Sequence, residues 1–221
     1  MRTHPVFLRL EGRRCVVLGG DVAAAGKAIS CQRAGAVVTV IASELTPELA
    51  AVVAGGHLRH VTRSYQDGDL AGALLCYAST RDAALIGRLR AEAERERVLL
   101  NVIDTPEASG FISPAVVERG ELRIAIGTGG ASPGLAARLR RELETWVGPE
   151  YGPFVSILGA VRRALATDPA RRTDVLGELL ASPLLELVRQ RRREEIDALL
   201  ARVAGDGLTL EGLGVALEER P

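Results

Sequence analysis

The sequence predicts an α/β fold built on a Rossmann-like parallel sheet, followed by a small α+β unit and a C-terminal helical region. Short apolar runs alternate with helical stretches over roughly the first hundred residues, the pattern of a doubly wound sheet. A glycine turn, Gly19-Gly20, joins the first strand-like run to the first helix. Beyond Asp104 the alternation stops, and from Tyr151 onward the periodicity is helical. The expected domains are residues 1–112, 113–147 and 148–221.

Val6–Leu10, apolar at every position but Arg9, reads as a first, edge strand, with Gly12-Arg13 turning into a second run at Cys15–Leu18. After Gly19-Gly20, Ala and Ile recur at helical spacing to Ala34, and Val37–Ile41 is the next strand, completing a βαβ unit. Thr46–Ala54 is helical, Leu58–Thr62 extended, Leu74–Ala78 an apolar strand, and Asp82–Arg97 a long amphipathic helix. Leu99–Val102 closes the series. This last run is apolar at nearly every position, as a strand buried on both faces must be, and two residues beyond it stands Asp104. Ligands of open α/β sheets bind at the carboxyl ends of the strands, which makes Asp104 a candidate catalytic acid or base; a loop carboxylate capping the turn before Pro106 is the competing reading.

The composition narrows the function. With 47% hydrophobic residues in 221, the chain can bury a substantial core. Lys plus Arg and Asp plus Glu each number 28, so there is no basic field to argue for nucleic acid, and 3% aromatic residues offer few platforms for stacking bases. The three cysteines show no CxxC pairing and fall mostly in apolar runs, the pattern of reduced core residues in a cytoplasmic protein. There is no apolar run long enough to span a bilayer and no signal-peptide block, so no membrane partner is expected.

A glycine turn at the start of a βαβ unit lets the free N–H groups of a helix N-terminus, here those near Val22 and Ala23, face a pyrophosphate. Against the fingerprint Gly-x-Gly-x-x-Gly/Ala, Gly19 and Ala24 match while Asp21 stands at the second glycine position. A carboxylate 4 Å from a phosphate charge costs roughly 1 kcal/mol in water and about 4 kcal/mol at a protein surface. Beyond the second strand of the unit, Ser43 and Glu44 are the candidates for the ribose. A βαβ unit that uses its glycines only for close packing is the alternative.

Phe111–Ile126 reads as two extended segments around a turn at Arg119-Gly120. It leads into Gly127-Thr128-Gly129-Gly130-Ala131-Ser132-Pro133, where Ser132 is placed to cap a helix that starts at Pro133 and runs to Trp146. Loop amides with the hydroxyls of Thr128 and Ser132, and the helix's Arg138, suit the binding of carboxylates; a plain capped helix with a solvated arginine face is the competing reading.

Taken together, Pro5-Val-Phe-Leu, the Gly19-Gly20 turn, Ala34–Val40, Asn101-Val-Ile-Asp104, Phe111-Ile-Ser-Pro-Ala115 and Thr128-Gly-Gly-Ala-Ser-Pro133 resemble, in order and spacing, the precorrin-2 dehydrogenase and sirohydrochlorin ferrochelatase family, the N-terminal module of sirohaem synthase. The resemblance implies NAD-dependent oxidation of precorrin-2 to sirohydrochlorin in a cytoplasmic homodimer, in some members combined with insertion of ferrous iron. It carries the catalytic aspartate onto Asp104 and a substrate-loop serine onto Thr128. It sets Thr80 beside the cofactor and makes Arg119, Arg138, Ser132 and the Gly129-Gly130 backbone the groups facing the tetrapyrrole's carboxylates. The family turn reads Gly-Gly-Gly, and the departure here leaves a second possibility: a tetrapyrrole-binding chelatase or carrier of the same fold without productive NAD binding.

No His, Cys or carboxylate cluster has metal-ligand spacing, and His57 and His60 flank the third of the parallel strands as surface or edge residues, so no resident metal is expected. The C-terminal region reads as four helices broken at Asp168-Pro169, Ser182-Pro183 and Gly205-Asp206-Gly207, and the basic run Arg189–Arg193 as a solvated helix end.

Overall fold

The computed structural model describes residues 2–205 and 207–217, which form two compact units: the described residues up to Ser113 with Gly129–Ala131, and Pro114–Thr128 with the described residues from Ser132 onward. The first holds five parallel strands, β1 (Arg14–Leu18), β2 (Val37–Ile41), β3 (Arg59–Val61), β4 (Leu75–Ala78) and β5 (Leu99–Val102), in the order β3-β2-β1-β4-β5. Helices α1 (Val22–Arg33), α2 (Pro47–Ala54) and α3 (Ala83–Glu96) connect them.

The strands are nearly all apolar because both faces of the sheet are covered. Cys15, Val17, Val38, Val40 and Leu75 pack with Ala24, Ala28 and Leu49 of α1 and α2. Val16, Leu18, Cys76, Leu100 and Val102 pack on the opposite face with Leu89 and Ala93 of α3. A strand residue such as Val16 or Val17, with no exposed surface, contributes about 1.5–3 kcal/mol by its burial. The connection from β3 to β4 is pinned by one buried acid. Glu92 of α3 is 1% exposed and accepts the Tyr65 hydroxyl and the N–H groups of Gly68 (3.0 Å) and Leu70 (2.8 Å).

Every expected strand of the parallel series forms. Val6–Leu10 does not: it is no strand, and Val6 and Phe7 are 64% and 71% exposed. An apolar run makes a strand only where an edge is free to pair, and β1, into which this segment leads, is flanked on both sides by β2 and β4.

The second unit begins with the antiparallel hairpin β6 (Ala115–Arg119) and β7 (Leu122–Ile126), turned at Gly120, whose φ is +57°. Helices α4 (Pro133–Trp146), α5 (Tyr151–Ala164), α6 (Pro169–Ala181), α7 (Leu184–Gln190) and α8 (Arg193–Ala204) follow. Ile157, Leu179, Leu184, Ile196, Leu200 and Leu210, all without exposed surface, form the centre of its core. The expected break at Gly205-Asp206-Gly207 includes Asp206, which lies outside the described residues.

Candidate active site

The loops at the carboxyl ends of β1, β2, β4 and β5 are held together by backbone hydrogen bonds that extend the sheet by one residue. Gly19 N–H donates to Ile41 O, Ser79 N–H to Leu18 O, and Ile103 N–H to Ala78 O, at 2.8–3.0 Å. Gly19 has φ +107°, a conformation that a Cβ would strain. A Cβ on Gly20 would lie 1.8 Å from the Glu44 carbonyl oxygen, so the second glycine lets the β2–α2 loop close on the turn, and Thr46 N–H donates to Gly20 O. Ser43 and Glu44 are thereby brought, exposed, beside the glycine turn.

Asp21 is the N-cap of α1. One carboxylate oxygen accepts the Ala24 N–H at 2.8 Å and the other the Ser79 hydroxyl at 2.5 Å. These two bonds hold the carboxyl below its ordinary range, the Ala24 N–H having the larger effect. The first-turn N–H groups of Val22 and Ala23 have no intrahelical acceptor. Two glycines without Cβ atoms and the amides of a helix N-terminus fit a dinucleotide's pyrophosphate, while the ionised Asp21 carboxylate at the same turn opposes it. Thr80, after β4, accepts the Asp82 N–H through its hydroxyl at 3.2 Å, which shapes the loop before α3.

Asp104 is exposed and has φ +60°, one of three described non-glycine residues in the left-handed region, a conformation that Asp tolerates better than most side chains. The turn is fixed on both sides. Thr105 N–H donates to Val102 O, while the Ser109 hydroxyl accepts from Val102 N–H at 2.9 Å and donates to Thr105 O at 2.9 Å. Gly110 N–H returns to Leu100 O, and the Asn101 amide donates to Phe111 O at 2.8 Å. The acid read from the sequence is therefore rigidly presented at the end of the last strand.

Beside it lies a residue that the sequence reading did not single out. Lys27 of α1 is half-buried, with Nζ 5.3 Å from the centroid of the Tyr77 ring. Tyr77 pairs in register with Asn101, packs edge-on against Phe111 at 5.4 Å, and shares a 3.2 Å hydrogen bond between its hydroxyl and that of Ser113. Burial pushes the Lys27 ammonium below its ordinary range, opposed by the negative field of Asp104. The one signal in the sequence is a lone lysine in the alanine-rich stretch Val22–Ala28.

The Thr128 hydroxyl donates to Ser132 O at 3.1 Å and accepts the Ser132 N–H at 3.2 Å, while Ser132 Oγ accepts the Leu135 N–H and caps α4 as expected. Gly129 and Gly130, with φ of +62° and +83°, complete the loop. The two arginines are less free than their sequence positions imply. Arg119 donates to the carbonyls of Val147 (2.8 Å) and Glu144 (3.2 Å) at the end of α4, and exposed Arg138 pairs with Glu142 at 2.7 Å. Among the described residues no group of three or more His, Cys, Asp or Glu is placed to hold a metal ion, and no helix is long and apolar enough to cross a membrane.

A parallel sheet in this order, a glycine turn opening α1 and an acid beyond the last strand define the doubly wound, dinucleotide-binding class of α/β proteins. Residues 6–115 match the family described as Putative NAD(P)-binding, and residues 119–145 match Sirohaem biosynthesis protein central. Siroheme synthases from Methylobacillus flagellatus and Nitrosospira multiformis are 36% and 37% identical over 200 and 209 residues, covering 86% and 91% of this chain but 43% and 44% of the relatives. The chain thus spans less than half the length of these curated relatives. The solved structure of SirC, precorrin-2 dehydrogenase, superposes with a TM-score of 0.71 at 25% identity, covering 91% of this chain and 98% of that one. With both domain matches in this order, the chain is similar in sequence to siroheme synthases over most of its own length and in fold to a precorrin-2 dehydrogenase.

Proposed function

We propose that the chain is an NAD-dependent dehydrogenase that oxidises precorrin-2 to sirohydrochlorin. The observation that carries this reading is the rigid, exposed Asp104 at the end of β5, in the same unit as a turn that fits a dinucleotide. NAD, when bound, supplies the hydride acceptor. Asp104 takes the proton that leaves the macrocycle, so that two electrons and one proton pass to the cofactor as hydride and the remaining proton to the carboxylate. The first-turn amides of α1 and the Gly19-Gly20 backbone receive the pyrophosphate, with Ser43, Glu44 and Thr80 toward the rest of the dinucleotide. Thr128, Gly129, Gly130 and Ser132 contribute donors for the substrate's carboxylates, together with Arg138 once it is released from Glu142.

Asp21 supports this reading over a carrier that has lost its cofactor because its carboxylate serves as the cap of α1 and is held by the Ala24 amide and the Ser79 hydroxyl, so the residue has a place in an intact cofactor turn. Ferrous iron is proposed as a further substrate, with Asp104 as the base for the pyrrole protons. A cytoplasmic homodimer is proposed as the working form. The test is anaerobic incubation with precorrin-2 and NAD, reading NADH and the sirohydrochlorin spectrum together and then adding ferrous ion. NADH and sirohydrochlorin rising together support the dehydrogenase. A metal-dependent spectral change faster than the protein-free rate supports the chelatase. Tight tetrapyrrole binding without NADH would favour the carrier reading.

A further inference from the structure

We propose that Lys27 is a substrate-binding residue whose ammonium receives a carboxylate arm of the tetrapyrrole, with Tyr77 as the platform that holds it in place. The inference rests on the tetrapyrrole reading above and adds a cation to the same site.

A lysine at a protein surface pairs with a carboxylate or extends into water. Lys27 lies instead along the α1 face of the sheet with its ammonium over an aromatic ring, and among the described residues that ring, rather than an ion pair, is its contact. Every buried side-chain nitrogen and oxygen among the described residues has a hydrogen-bond partner, so an ammonium without one has its tip at the solvent. It is a positive charge with donors to spare, held on a partly desolvated stem where an arriving anion is attracted more strongly than in bulk water.

The ring decides which anion. Tyr77 is the penultimate residue of β4 and pairs with Asn101 of β5, two positions before the chain turns outward to Asp104. The ammonium therefore stands over β4 near the reacting end of the site, displaced from the glycine turn that follows β1. Asp104 is the negative group whose field reaches it. A carboxylate of the substrate bound to Lys27 brings the macrocycle beside the acid, and the Tyr77–Phe111 pair adds an apolar surface. The Tyr77 ring holds the lysine through its ammonium, so removing the ring frees the cation without removing its charge.

The test is anaerobic titration with sirohydrochlorin, followed by its absorbance, on the wild-type chain and on Lys27→Met, Lys27→Arg and Tyr77→Leu, with NAD titrated separately. Methionine keeps the apolar stem and removes the charge. It should weaken sirohydrochlorin binding about tenfold or more, as loss of a charge-assisted hydrogen bond does. Arginine should restore most of that loss, Tyr77→Leu should fall between, and NAD affinity should stay at the wild-type value in the lysine variants. Sirohydrochlorin affinity unchanged in Lys27→Met, or a loss confined to NAD, would overturn the assignment and leave the tetrapyrrole reading standing. Failure of the wild-type chain to bind sirohydrochlorin at all would overturn both.

Discussion

The hydroxyl of Ser79 donates to the carboxylate of Asp21 at 2.5 Å, tying the first turn of α1 to the end of β4. The same carboxylate caps α1, so a residue that opposes a pyrophosphate by its charge is also part of the scaffold that shapes the glycine turn. Replacement by Asn keeps a capping oxygen and removes the charge. Asp21→Asn should therefore tighten NAD binding by up to about tenfold in calorimetric titration, with little loss of stability. Asp21→Ala should cost about 1 kcal/mol in urea unfolding through loss of the cap.

The pH dependence of that cap has a definite sign. Hydrogen bonds from Ala24 N–H and Ser79 hold the Asp21 carboxyl below its unfolded value. Its contribution to stability is complete above the ordinary carboxylate range and is lost as pH falls through the lowered, folded value. Urea midpoints measured from neutral to strongly acid pH should fall more steeply for the wild-type chain than for Asp21→Asn; parallel curves would show that the carboxylate contributes nothing by its ionisation.

Glu92 satisfies three donors in the loop between β3 and β4. Glu92→Ala leaves the Tyr65 hydroxyl and the Gly68 and Leu70 amides without their acceptor and should destabilise the chain by about 3 kcal/mol or more. Tyr65→Phe removes one of the three bonds and should cost about 1 kcal/mol. Chemical denaturation of both variants checks the order.

Arg119 separates a structural from a binding role. Its guanidinium bonds the Val147 and Glu144 carbonyls at the end of α4, and Arg119→Ala should lower stability by about 1.5–3 kcal/mol. Sirohydrochlorin affinity should change less than in Lys27→Met. A large loss of affinity with unchanged stability would restore Arg119 to the substrate's surroundings.

The parallel strands and Asp104 were legible because burial on both faces writes itself as continuous apolar runs and because the acid follows the last of them directly. The capped start of α4 at Ser132 was legible for a similar reason, since a cap is a local device with its own residue signature. Val6–Leu10 misled because an apolar run does not by itself supply a partner strand. Arg119 was read as a free cation because its acceptors lie 25 and 28 residues further along the chain. Lys27 was invisible for the same reason: its importance depends on Tyr77, a residue of another element that the sheet register places beneath it.

The role of Asp104 is tested most directly by comparing the wild-type chain with Asp104→Asn under anaerobic conditions with precorrin-2 and NAD, recording NADH and sirohydrochlorin together with NAD affinity. The wild-type chain should form the two products in equal amounts. Asp104→Asn should retain NAD binding while its turnover falls by about 10²-fold or more, the range expected for loss of a general base. Turnover by Asp104→Asn at the wild-type rate would contradict the assignment of the acid, and the absence of NADH from the wild-type reaction would contradict the dehydrogenase itself.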